Sequence, residues 1–179
     1  MKSALLVCAG AAMMVSPAPS ARADTIAVTP SAFVSSFRDD VKATPDAVWK
    51  AVLQLPRWWS GQHTYSGQAA NLSLDVQAGG CWCERASDGL SVQHGTVVMV
   101  QPGRAIRVFA NLGPLQDLPV HGVLTIATAA QEGKTVLRMT YRVAGDASAA
   151  LDQLAPAVDQ VMGTQFRRLK ALAETGQAD

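Results

Sequence analysis

Charge is scarce in this 179-residue chain: 16% of its residues are Asp, Glu, Lys or Arg, and 15 basic against 14 acidic side chains leave a formal net charge of +1. Without a basic excess there is no electrostatic footprint for nucleic acid or for an anionic membrane surface. Long apolar runs are missing too. The longest, Ala4 to Val15, is too short to cross a hydrocarbon core of roughly 30 Å as a helix, so no integral membrane span is expected. There is no Gly-rich phosphate loop, no Ser/His/Asp order and no His-Glu-x-x-His pattern. Repeats, low-complexity tracts and internal linkers are absent from the sequence. What is plentiful is apolar character, 49% of the chain, which excludes disorder and predicts one domain.

The N-terminus reads as a secretory signal peptide over residues 1–23. Lys2 supplies the positive start, Ala4 to Val15 the apolar middle, and the segment from Ser16 to Ala23 a breaker-rich tail ending in Ala-x-Ala. Cleavage after Ala23 removes Cys8 and delivers residues 24–179 to a periplasmic or secreted location. A lipid anchor at Cys8 is discounted, because Val7 is not the small residue such an anchor needs. The mature chain loses Lys2 and Arg22 and keeps 13 basic and 14 acidic residues. A chain of that length buries roughly 70% of its unfolded surface and needs no covalent staple. Cys81 and Cys83, in an oxidising compartment, therefore require an explanation of their own.

Periodicity sets the order of elements. Phe33, Phe37 and Val41 line one side of a first strand. Thr44-Pro45-Asp46 starts a helix by a hydroxyl cap, a proline in the first turn and a carboxylate near the positive helix end, and Val48, Ala51, Val52 and Leu55 continue it until Pro56. From Asn71 the period falls to two. Strands are expected at Leu72–Val76, Cys81–Arg85, Val92–Val100, Ile106–Leu112, Val123–Thr128 and Val136–Val143, with turns at Gly79-Gly80, Asp88-Gly89, Pro102-Gly103 and Glu132-Gly133-Lys134. A short turn from Ser148 to Leu154 then leads to Pro156, which opens a long helix with Val158, Val161, Met162, Phe166, Leu169 and Leu172 on one face, stopped at Gly176. The expected fold class is α+β: a curved antiparallel sheet of about seven strands covered by a long C-terminal helix.

Ala43 to Trp49 at the first helix, Trp58-Trp59 after it, Gly79-Gly80, Gly95-x-Val97, Pro102-Gly103 and Gln165 to Leu172 together resemble the SRPBCC superfamily, also called START-like or helix-grip proteins. The likeness is greatest to the branch similar to the activator-of-heat-shock-ATPase domain and the polyketide cyclases, and it spans roughly Phe33 to Leu172. The resemblance implies a sheet gripping a helix, with an apolar cavity between them for a hydrophobic small molecule. It does not imply one chemistry, since such proteins range from carriers to cyclases and co-chaperones.

The richest polar segment is Trp58 to Gly67, which the resemblance places near the mouth of the cavity. Trp58, Trp59, His63 and Tyr65 are the expected ligand-binding residues, because rings with polar tips shield an apolar ligand while fixing its polar end. The alternative is that the tryptophans cap the core and the other two are ordinary loop residues.

A second constellation is Cys81-Trp82-Cys83-Glu84. Alternation puts the two cysteines on one face and Trp82 and Glu84 on the other. A two-residue turn at Asp88-Gly89 would set Cys83 opposite His94 and Cys81 opposite Thr96. Three readings fit that patch: small buried thiols beside a hydrogen-bonded histidine, a soft or borderline metal site for Cu(I) or Zn(II), or a disulfide. A bulge beside the turn would move His94 to the opposite face. Asp75 is expected to look outward, Glu84 is a general acid or base only if it faces the cavity, and Arg107, Arg138 and Arg142 are assigned to the solvent face.

The expectation is therefore an exported, non-enzymatic binder of an apolar small molecule, with no cofactor. Its alternatives are a metal or thiol-redox protein through Cys81, Cys83 and His94, and a cyclase- or hydrolase-type enzyme using His63, Tyr65 or Glu84.

Overall fold

In the computed structural model, residues 26–178 are described; the expected signal segment and Cys8 lie outside them. The eight strands are β1 (Ile26–Thr29), β2 (Ala32–Val41), β3 (Leu72–Leu74), β4 (Cys81–Arg85), β5 (Ser91–Gln101), β6 (Ala105–Ala110), β7 (Val120–Gln131) and β8 (Lys134–Gly145). They form one antiparallel sheet in the order β1-β2-β8-β7-β6-β5-β4-β3. The helices are α1 (Pro45–Val52), α2 (Leu55–Trp58) and α3 (Leu151–Thr175). The sheet curves around α3, and no described helix is long and apolar enough to cross a membrane.

Four expectations need correcting. The strand count rises to eight because β1, four residues with no apolar alternation, adds an edge to β2. The first helix is two pieces, since Pro56 sits in the first turn of α2 rather than only closing α1. Pro156 lies inside α3, which already begins at Leu151, so it opens no separate helix. In the β4–β5 hairpin Cys81 pairs with Thr96 as expected, but Cys83 pairs with Gln93 and not with His94.

Local chemistry explains the ends that matched. Thr44 Oγ1 accepts the Ala47 N–H at 3.2 Å, and Pro45 opens α1. Gly176 closes α3 at φ +79°, where its N–H reaches the Leu172 carbonyl at 2.9 Å. Along β8, Leu137, Met139, Tyr141 and Val143 are all buried on the inner face, as alternation requires. Arg107, Arg138, Arg142 and Asp75 are exposed.

Helix α3 is clamped to the inner face by stacking of Phe166 on Phe37, with centroids 5.7 Å apart, and by a bond from Lys170 to Asp39 of β2. Past the end of the β6–β7 ladder the Tyr141 hydroxyl takes over. It donates to the Ala110 carbonyl at 2.9 Å and accepts from the Leu112 N–H at 3.3 Å. Burial pushes the Tyr141 hydroxyl well above the usual tyrosine range, so it stays protonated and keeps donating. That clasp fixes where β6 leads into the 3-10 turn Gly113–Asp117.

Candidate functional site

A cavity of about 450 Å³ lies between α3 and two segments that cross the end of the sheet. Its lining comes from Trp59 and residues 62–65 on one side, Leu112 to Pro114 and Asp117 on the other, Ala157, Val158, Val161 and Met162 of α3, and His94 of β5. A larger depression of about 640 Å³ surrounds Phe109, which is 57% exposed, together with Gln93, Thr96, Asn111, Gln116 and His121. That depression has a more polar lining than the smaller cavity and lies against Phe109, Thr96 and Val123, which share the outer row of the sheet. The smaller cavity has the apolar helix wall that a greasy ligand requires.

Three of the four expected residues meet there. Trp59 is 4% exposed and is held by its indole N–H, which donates to the His63 carbonyl at 2.9 Å. His63 is half-buried, and Tyr65 stands at the rim, 51% exposed, its hydroxyl bridging the Gly113 carbonyl and Gln116 Oε1 at 3.2 Å each. Trp58 does not line the cavity: it is 1% exposed and donates to the Val52 carbonyl within the core. It supports Trp59 edge-on at 5.7 Å, and Trp59 in turn meets Trp82 edge-on at 4.8 Å. Adjacent residues serving different ends follow from the chain leaving α2 at Trp58 for an extended Trp59.

The segment carrying His63 and Tyr65 has few bonds of its own and is pinned from outside. Gln165 of α3, fully buried, accepts the Ser60 N–H at 2.8 Å and meets His63 Nδ1 at 3.0 Å. Glu84 of β4, also fully buried, accepts the Tyr65 N–H at 3.1 Å, the Ser66 N–H at 2.5 Å and a bond from His94 Nε2 at 2.9 Å. Burial pushes the Glu84 carboxyl up, but the donors from Ser66, Tyr65 and His94 outweigh it and hold Glu84 below the ordinary carboxylate range. Glu84 is thus an ionised anchor. Desolvation, followed by the nearby Asp117 and Glu84 charges, raises the Tyr65 hydroxyl.

His94 reaches Glu84 because the hairpin register differs from the one read above. The Ala86 N–H bonds to the Leu90 carbonyl, making a three-residue loop with Gly89 at φ +96°, and Cys83 pairs with Gln93. The register then shifts between Trp82 and Cys83, so Trp82 pairs with Gly95 and Cys81 with Thr96. His94 is the extra residue, and the bulge turns it toward Trp82 and Glu84 on the inner face.

Cys81 and Cys83 remain on the opposite face, bonded to each other as a disulfide with Cα atoms 5.4 Å apart. The separation falls below the regular-strand spacing and within the range that a disulfide spans. Two bonded sulfurs and a histidine on the other face do not assemble the metal patch drawn from sequence. Among the described residues no group of three His, Cys, Asp or Glu is placed to hold a metal ion.

Several lining residues had no site signal in the sequence. Val158, Val161 and Met162 read only as a core face, and Leu112 to Asp117 only as a connection. Gln165 had one usable signal, a polar residue on the buried face of a helix.

A model of the family described as "Polyketide cyclase / dehydrase and lipid transport" matches residues 33–174. Among solved structures, a protein from Rhizobium leguminosarum is 21% identical with a TM-score of 0.55, the match covering 79% of this chain and 94% of that one. The Aha1 dimer from Colwellia psychrerythraea is 16% identical with a TM-score of 0.51, covering 80% and 97%. The di-domain ARO/CYC StfQ from the steffimycin biosynthetic pathway is 15% identical with a TM-score of 0.53, covering 78% of this chain and 50% of that one. At these identities the likeness is one of fold. No curated protein matches the chain.

Proposed function

We propose, from the premise that the chain belongs to the polyketide cyclase / dehydrase and lipid transport family, that it is an exported carrier which binds an apolar small molecule between α3 and the segment from Trp59 to Tyr65. The observation that carries this reading is the cavity of about 450 Å³ with Trp59, Val158, Val161 and Met162 in its wall. Its volume falls in the range of roughly 300–1,000 Å³ that small-molecule sites occupy. Export is supported by the signal-like residues 1–23 and by the Cys81–Cys83 disulfide, a bond that persists in oxidising compartments. Protein recovered from outside the cytoplasm of its own host should begin at Asp24; an intact Met1 on that material would contradict the export step.

The binding test uses the uncharged fluorophore N-phenyl-1-naphthylamine. The mature protein should bind it in a saturable way. Placing tryptophan at both Val158 and Val161 should weaken binding at least about tenfold, a loss of roughly 1.4 kcal/mol, with the melting transition retained. No saturable binding, or binding indifferent to the two tryptophans, would overturn the reading.

A cyclase-type enzyme acting on the bound molecule is the second reading, and one observation favours it: Glu84 and His94 form a buried carboxylate–imidazole pair whose imidazole lies on the cavity wall. Among the described residues Cys81 and Cys83 are bonded to each other and supply no thiolate nucleophile.

A further inference from the structure

The hydrogen bonds around the two cavity histidines fix which ring nitrogen of each carries the proton. Glu84 is an acceptor for backbone N–H groups of Tyr65 and Ser66, both of which can only donate. It is therefore the ionised partner, and His94 must present Nε2–H to it across 2.9 Å. In the neutral ring this leaves Nδ1 of His94 as a bare acceptor. Nδ1 makes no bond to protein among the described residues, and His94, 6% exposed, borders both the cavity and the depression around Phe109.

The same accounting applies to His63. Gln165 accepts the Ser60 N–H with Oε1, so its amide Nε2 faces His63 Nδ1 as a donor at 3.0 Å. Nδ1 of His63 is thus the acceptor, and its proton sits on Nε2. The other polar groups of the lining are differently placed. Thr64 spends its hydroxyl proton on the Gly61 carbonyl at 2.8 Å, and Gln62 and Asp117 are exposed at the mouth, where water serves them.

An acceptor that opens only into a narrow, largely apolar cavity is costly to cover with an apolar group and rewarding to cover with a donor. From this we infer that the cavity selects an apolar molecule bearing a hydroxyl, a phenol, enol or alcohol, whose O–H donates to Nδ1 of His94. Nε2–H of His63 serves an accepting oxygen of the same ligand. Glu84 acts as a positioning residue: it touches no ligand and holds the imidazole in the tautomer that accepts. The inference rests on the cavity being the binding site and adds the chemical class of its occupant.

The test pairs two probes of like shape, 2-naphthol, which donates, and 2-methoxynaphthalene, which cannot. The wild-type mature protein should bind 2-naphthol about tenfold more tightly than 2-methoxynaphthalene, the scale of one buried hydrogen bond. His94→Lys keeps a donor for Glu84 and removes the acceptor, so its preference for 2-naphthol over 2-methoxynaphthalene should fall from about tenfold to about onefold. His94→Gln keeps a donor for Glu84 and turns a carbonyl oxygen to the cavity, so it should retain a preference for 2-naphthol. Equal binding of the two probes by wild type, or a preference that survives in His94→Lys, would overturn the inference and leave the cavity reading standing. Binding of neither probe would remove both. Should His94→Lys fail to fold, the wild-type comparison and the glutamine variant still decide.

Discussion

Replacing Glu84 by alanine is expected to cost about 3–5 kcal/mol of folding stability, because three buried donors lose their common acceptor at about 1–3 kcal/mol each. The carboxylate is fully buried and is the common acceptor for the Tyr65 N–H, the Ser66 N–H and His94. Water does not replace it, so three donors are stranded together. Glu84→Gln keeps one good acceptor and should lose roughly half as much. Urea midpoints report the loss, and a Glu84→Ala midpoint within error of wild type would show that the 65–66 segment is held by something else. The pH dependence follows from the same geometry. Because the folded carboxyl lies below its ordinary value, its contribution is fully present above the unfolded-state glutamate value. It fades as pH falls through the lower folded one. Acid should therefore loosen the His63–Ser66 wall, and the Glu84→Gln variant should lack that acid transition.

Trp59→Ala is expected to have an effect of similar size, about 3–5 kcal/mol, by the cavity rule for large buried aromatics. Its ring is wedged between Trp58 and Trp82 at 5.7 and 4.8 Å and is pinned to the His63 carbonyl. Unlike Trp58, it also forms part of the cavity wall, so the variant should lose stability and N-phenyl-1-naphthylamine binding together. Trp59→Phe refills most of the apolar volume without the N–H and should recover more stability than affinity, because His63 loses its tether. Unimpaired probe binding by a folded Trp59→Ala would separate this ring from the site.

The helix-grip architecture was legible because its signals are local. Thr44-Pro45 caps α1, Gly176 stops α3, and the alternation in β2 and β8 marks their inner faces. Other features required the folded partner. Edge strand β1 has no alternation to read, and Pro156 is tolerated six residues into α3, where periodicity alone suggested a break. In the site, Trp59, His63 and Tyr65 stood out by composition. Trp58 shared that composition, and only the exit from α2 separates the two tryptophans. The Glu84–His94 pair was legible only as the alternative that a bulge would open, because it depends on a one-residue bulge in β5 and a three-residue hairpin loop. A shift of one residue changes the face of every side chain beyond it. The disulfide and the Glu84 anchor lie on opposite faces of β4 by plain alternation, which was legible.

The central claim is that an apolar molecule sits against α3 and Trp59. It is tested most directly by intermolecular nuclear Overhauser effects between N-phenyl-1-naphthylamine and methyl-labelled mature protein. The account predicts contacts to the methyls of Val158, Val161, Met162 and Leu112, all in the lining of the 450 Å³ cavity. Contacts confined to Val28, Val34 and Ala155, which line a separate cavity of about 410 Å³ beside Phe33, or to Val123 beside exposed Phe109, would contradict it.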